Sequence, residues 1–100
     1  MEKYNLRIFP AAERDLQEIT DYLNELSPQA AFKLYDEIVD SIGSLQQMPK
    51  RCPLIKNTML RMKGYRMLVV ENYVVFYVVS GDTVQIRRIL FSRRQYEFLP

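Results

Sequence analysis

Apolar and polar positions alternate over KYNLRIF (3–9), placing Tyr4, Leu6 and Ile8 on one side, as a half-buried strand does. From Pro10 the period changes. Ala12, Leu16, Ile19, Leu23 and Leu26 recur at steps of four, three, four and three, which predicts a helix over 10–26 with one apolar stripe. Pro10 suits its first turn, and Glu13 and Asp15 favour its positive end. Ser27-Pro28 reads as an N-cap followed by a first helical position. A second stripe, Ala31, Leu34, Tyr35, Ile38, Ile42, Leu45 and Met48, then runs to the stop at Pro49. Two stripes across so short a break predict an antiparallel helical hairpin.

PKRCPLIKNTMLRMK (49–63) carries no period and two prolines, and reads as a long basic loop. After Gly64, YRMLVV (65–70), YVVFYVVS (73–80) and TVQIRRILF (83–91) are rich in β-branched and aromatic residues. The pairs Glu71-Asn72 and Gly81-Asp82 join them into a meander of hairpins. The middle strand is apolar throughout, as expected when both faces are covered. SRRQYEFL after it is open to a short closing helix. The predicted fold is α+β in the order β-α-α-β-β-β: an antiparallel sheet, joined by the first strand, covered on one face by the helical hairpin.

One hundred residues, 48% of them hydrophobic, suit one domain over 1–100. Without histidine and with Cys52 alone, the chain has no disulfide, no histidine base and almost no ligands for zinc or haem, so no cofactor or metal is expected. No apolar run approaches ~18 residues and MEKYNLRIFP has no signal-peptide pattern, so a cytoplasmic protein without a membrane partner is expected. The net charge of +2 hides an asymmetry. Residues 1–48 carry four basic and nine acidic side chains, a balance of −5. Residues 49–100 carry ten basic and three acidic, a balance of +7. A basic face that meets an anion or an acidic partner is one reading. Mutual neutralisation of acidic helices and basic sheet is the other.

The candidate chemistry is arginine-rich. Arg66 lies on the first meander strand, Arg87 and Arg88 on the last, and Arg93 and Arg94 beyond it, with Lys63 at the rim. A meander can bring Arg66 and Arg88 to one surface, where guanidinium groups fork onto phosphate or carboxylate. Arg88, between Ile86 and Leu90 on an alternating strand, must be either paired or functional. Tyr65, Tyr73, Tyr77 and Tyr96 could offer stacking or a phenolic proton, although Tyr73 and Tyr77 suit the core better. No P-loop, glycine-rich dinucleotide motif, metal spacing or nucleophile–base pair is present. Metal-free RNA cleavage could use such parts, with a base at the 2′-OH, cations on the phosphorane and an acid at the leaving oxygen.

Five linked features resemble the RelE/ParE toxins of bacterial type II toxin–antitoxin modules, from Ile8 to about Leu99. These are the D-L-x-x-I-x-x-Y helix, Ser-Pro between the helices, Pro49, G-Y-R opening the meander, and R-I-L-x-x-R-R ending it. The resemblance implies the βααβββ fold and an antitoxin partner that lays a helix in an apolar groove or adds a strand to a sheet edge. It also implies one of three activities: a ParE-like toxin inhibiting DNA gyrase, a RelE-like endoribonuclease acting on mRNA at the ribosome, or a homologue that only binds antitoxin. Against the RelE catalytic set, Arg66 stands at the first lysine, Leu68 at the second and Val74 at the second-strand arginine. Arg93 matches the later arginine, and Leu99 falls at the tyrosine with Tyr96 three residues away. For an RNase, the implied catalytic candidates are Arg66, Arg88, Arg93 and Tyr96, with Lys63, Arg87 and Arg94 as a binding surface. The apolar Leu68 and Val74 favour the ParE-like side.

Overall fold

The computed structural model describes residues 3–92. Strand β1 (Asn5–Ile8) leads into helix α1 (Pro10–Leu26) and helix α2 (Pro28–Ser44). A 3-10 turn (Pro49–Arg51) and a short helix α3 (Thr58–Met62) precede β2 (Tyr65–Val70), β3 (Tyr73–Ser80) and β4 (Thr83–Phe91). The order is β-α-α-β-β-β with α3 added, and the hairpin boundary falls at Ser27. There extended backbone lets the side chain accept from the Ala30 N–H at 3.3 Å while Pro28 starts the next helix.

The four strands lie in the order β1-β4-β3-β2. β2, β3 and β4 form the expected antiparallel meander, but β1 pairs with β4 in parallel, Leu6 beside Val84 and Ile8 beside Ile86. The all-antiparallel sheet is corrected on this point. The crossover through α1 and α2 delivers the chain to β2 at the far edge of the sheet, running in the same direction as β1, and the two hairpin reversals that follow bring β4 beside β1 in that direction too.

β3 is buried on both faces, as its unbroken apolar run requires. On one side α1 and α2 close a core of Ala12, Ile38, Ile42, Leu45, Val75, Tyr77, Val84, Ile86 and Ile89. On the other, Ile55 and Leu60 cover Tyr65, Val74, Phe76, Val78 and Leu90. The segment 49–63 is therefore no free loop. Asn57 caps α3 by accepting from the Leu60 N–H at 3.1 Å, and Leu54 bridges Arg66 on the edge of β2. The segment shows no period because its contribution to this second core is two separated side chains, Ile55 and Leu60, while Cys52 packs against the first core.

The β2–β3 turn stores strain. Glu71 adopts φ 54, a left-handed conformation that costs a side-chain-bearing residue about 1 kcal/mol. Its carboxyl also raises the pKa of Glu37 on α2 above the ordinary 4.5. The Glu71 hydrogen bond is the largest cause, with desolvation and the Glu71 charge behind it and Lys33 opposing. An acid whose folded pKa is raised favours the fold while protonated. Its contribution is thus present at low pH and lost as pH rises from about 4.5 through the raised value. Glu71→Gly is expected to stabilise the protein by about 1 kcal/mol through the turn. The gain in urea midpoint should be larger near pH 7 than near pH 4. An equal gain at both would remove the carboxyl pair from the explanation, and a loss would remove the strain.

Candidate functional site

Arg66 and Arg88 are not gathered as free cations on one surface. Phe76 pairs with Arg88 while Tyr77 pairs with Ile86, so β4 carries a bulge with Arg87 as the extra residue. The bulge reverses the alternation: Ile86 and Ile89 both face the helices, and Leu90 faces the second core. The expectation that Arg88 shares a face with Ile86 and Leu90 fails for this reason.

Arg88 is paired. Its Nε donates to Asp15 Oδ2 at 2.7 Å and its Nη2 to Oδ1 at 3.0 Å, a two-pronged bond across to α1. Asp15 Oδ2 also accepts from the Ile89 backbone N–H at 2.9 Å. The hydrogen bond to Asp15 is the largest cause that raises the Arg88 pKa further above its usual value. Near the helix start, Asp15 suits the positive end of α1 by its charge alone. Its place three residues after Ala12 and four before Ile19, inside the apolar stripe, was the signal that it faces inward.

Arg66 is engaged elsewhere. Its Nη1 donates to the carbonyls of Cys52 at 2.6 Å and Lys50 at 3.2 Å, pinning the start of the 49–63 segment to β2. Beside it the buried Tyr77 hydroxyl donates to the Pro49 carbonyl at 2.6 Å. Burial first, then a hydrogen bond with Cys52, pushes this phenol far above its usual 10. Tyr65 is fully buried, and Tyr73 packs edge-on against Phe91 at 5.7 Å with its phenol raised by burial. Lys63 is exposed at the end of α3. Arg87 joins a different cluster with Arg7 and Phe9, which the sequence reading did not single out. Arg93, Arg94 and Tyr96 lie outside the described residues.

A concave feature lies on the helix side. A cavity of about 520 Å³ runs between α1, α2 and β1, with Leu6 and Ile8 from the strand, Leu16 and Thr20 from α1, and Tyr35 and Val39 from α2. Ile8, Tyr35 and Val39 are exposed along it. Phe32, one turn before Tyr35, extends the exposed apolar stripe of α2. Gly43 also lines the groove, and a Cβ added there meets nothing within 4 Å. Among the described residues no group of three or more Cys, Asp or Glu is placed to hold a metal, and no helix is long and apolar enough to cross a membrane.

A family model described as the ParE toxin of the type II toxin–antitoxin system parDE matches residues 6–96. None of the curated proteins compared matches the chain. Among solved structures, the chromosomal ParDE toxin–antitoxin system from P. aeruginosa is similar at 26% identity and a TM-score of 0.76, over 89% of this chain and 96% of that one. The toxin–antitoxin complex RelBE2 from Mycobacterium tuberculosis shares the fold at 23% identity and a TM-score of 0.62, over 91% of this chain and 93% of that one.

Proposed function

Because the chain belongs to the family of ParE toxins of type II toxin–antitoxin systems, we propose that it arrests growth by binding and inhibiting DNA gyrase, and that a cognate antitoxin neutralises it. The observation that carries the choice of target is the commitment of the two described catalytic candidates, Arg66 and Arg88. Cleavage of a phosphodiester without a metal needs several cations free to stabilise the developing phosphorane charge. Arg88 is held by Asp15 and Arg66 by two backbone carbonyls, while Leu68 and Val74 fill positions where RelE-like enzymes carry cations. Inhibition by binding asks for no such assembly.

The antitoxin is the occupant proposed for the groove of α1, α2 and β1. An amphipathic helix lays its apolar positions into such a groove, and Phe32, Tyr35 and Val39 offer anchors at helical spacing. The neighbouring structures are themselves toxin–antitoxin systems. Strand addition at the β2 edge is the weaker route, because Leu54 already bridges Arg66 there.

Inducing the chain in growing cells separates the targets. Loss of negative supercoiling with DNA breaks is expected. Cuts in translated mRNA at codon-defined positions, with supercoiling intact, would move the chain to the RNase reading. Absence of both, with an antitoxin complex still formed, would leave a homologue that only binds antitoxin.

A further inference from the structure

The face of the sheet turned away from α1 and α2 carries a second polar constellation. Leu6 and Ile8 line the groove under the helices, so the alternation of β1 sends Arg7 to the opposite face, beside Gln85 of β4 in the strand register. The β4 bulge supplies Arg87. The guanidinium carbons of Arg7 and Arg87 lie 4.9 and 4.6 Å from the centroid of the same Phe9 ring, and that of Arg87 also lies 5.8 Å from the Tyr65 ring. Gln85 Oε1 accepts from Arg87 Nε at 3.1 Å and Nη2 at 2.7 Å, and Arg87 Nη1 reaches the Tyr65 hydroxyl at 3.5 Å.

We propose that Arg7 and Arg87, stacked on Phe9, form a binding site for the phosphodiester backbone of a single-stranded nucleic acid. Three features carry this. First, no described carboxylate neutralises the charge. Among the described residues the ion pairs are Lys33–Glu37 and Arg88–Asp15, and no carboxylate pairs with Arg7 or Arg87. Second, the guanidinium groups are oriented in advance. The Phe9 ring holds both, and the Tyr65 ring and hydroxyl and the Gln85 amide oxygen hold Arg87, none of them neutralising the charge, and the Arg7 guanidinium has no acceptor among the described residues. Planar forks of this kind match phosphate oxygens, and their faces accept stacked bases. Third, the surroundings are polar. Asn5 and Gln85 flank the cations, Phe9 is half-buried and Tyr65 fully buried, so the cluster offers solvent charge and amide rather than apolar anchors. Nucleic-acid interfaces have that character. A peptide needs apolar anchors, and those lie across the sheet in the groove.

The site does not depend on gyrase being the target, and its test does not read toxicity. Anisotropy of fluorescein-labelled oligothymidylate and oligouridylate, titrated with the full chain between about 50 and 200 mM salt, gives affinity and salt slope. Two contacted phosphates predict a log–log slope of about −1.4, and loss of one arginine a change of about 0.7. Arg7→Ala and Arg87→Ala are each expected to weaken binding roughly tenfold at low salt. Lys33→Ala, which removes a cation on α2, should leave affinity nearly unchanged. Equal binding of the two oligomers would assign recognition to the phosphates alone, and tighter RNA binding would add the 2′-hydroxyl. Arg7→Gln, at an exposed position, keeps the test open if Arg87→Ala disturbs folding. The proposal is overturned if neither oligomer binds, or if Lys33→Ala costs as much as Arg7→Ala. It is also overturned if oligoglutamate binds more tightly than both, which would assign the site to an acidic peptide.

Discussion

Asp15→Ala is expected to lower the free energy of unfolding by about 3 kcal/mol, a large share of what a domain of this size has. The carboxylate serves three donors, two on the Arg88 guanidinium and one at the Ile89 N–H. The side chains of Arg88 and Asp15 are 24% and 11% exposed, so water replaces the lost carboxylate around the guanidinium only in part. Removing one member of a buried pair is costly because the other stays behind. Asp15→Asn should cost less, since its amide oxygen can still accept from one of these donors. The double replacement Asp15→Leu with Arg88→Met should recover much of the loss, because neither charge is then left unpaired. Urea midpoints for the three variants measure this. A loss below about 0.5 kcal/mol for Asp15→Ala would mean that the pair contributes no more than an exposed surface ion pair.

Gly43→Leu is expected to weaken antitoxin binding roughly a hundredfold, on the order of 2–3 kcal/mol, without harming the fold. A side chain at position 43 enters open space in the groove, and replacing a helical glycine removes a cost of about 1 kcal/mol. The urea midpoint should therefore rise slightly while the antitoxin dissociates faster, and co-expressed antitoxin should no longer rescue growth. Gly43→Ala separates the effects, because it gains the helix propensity and fills little of the groove. Unchanged antitoxin affinity in Gly43→Leu would place the antitoxin on another surface, with the family assignment intact.

How much of this was legible in the sequence varies by element. The boundaries of α1, the Ser27-Pro28 restart and the three meander strands follow from period, caps and two-residue turns, all local signals. The parallel pairing of β1 with β4 is not local, and nothing in KYNLRIF states which edge it joins. The burial of Ile55 and Leu60 leaves no period, so 49–63 reads as loop until the second face of β3 demands a cover. The choice for Arg88 between a pair and a function was visible. Its partner was visible only as a carboxylate inside an apolar stripe, and the bulge that shifts the register around it has no sequence mark. Arg7 and Phe9 escaped notice because the residue that gives them meaning, Arg87, comes from the far end of the chain.

The proposed target is tested most directly with purified components. DNA gyrase supercoiling of a relaxed plasmid is followed as this chain is added, and then the cognate antitoxin. Supercoiling should fall as the chain saturates gyrase and return when the antitoxin is supplied, with no cleavage of mRNA on translating ribosomes by the same sample. Full supercoiling at saturating protein, together with cut mRNA, would contradict gyrase as the target and with it the reading of the tethered arginines.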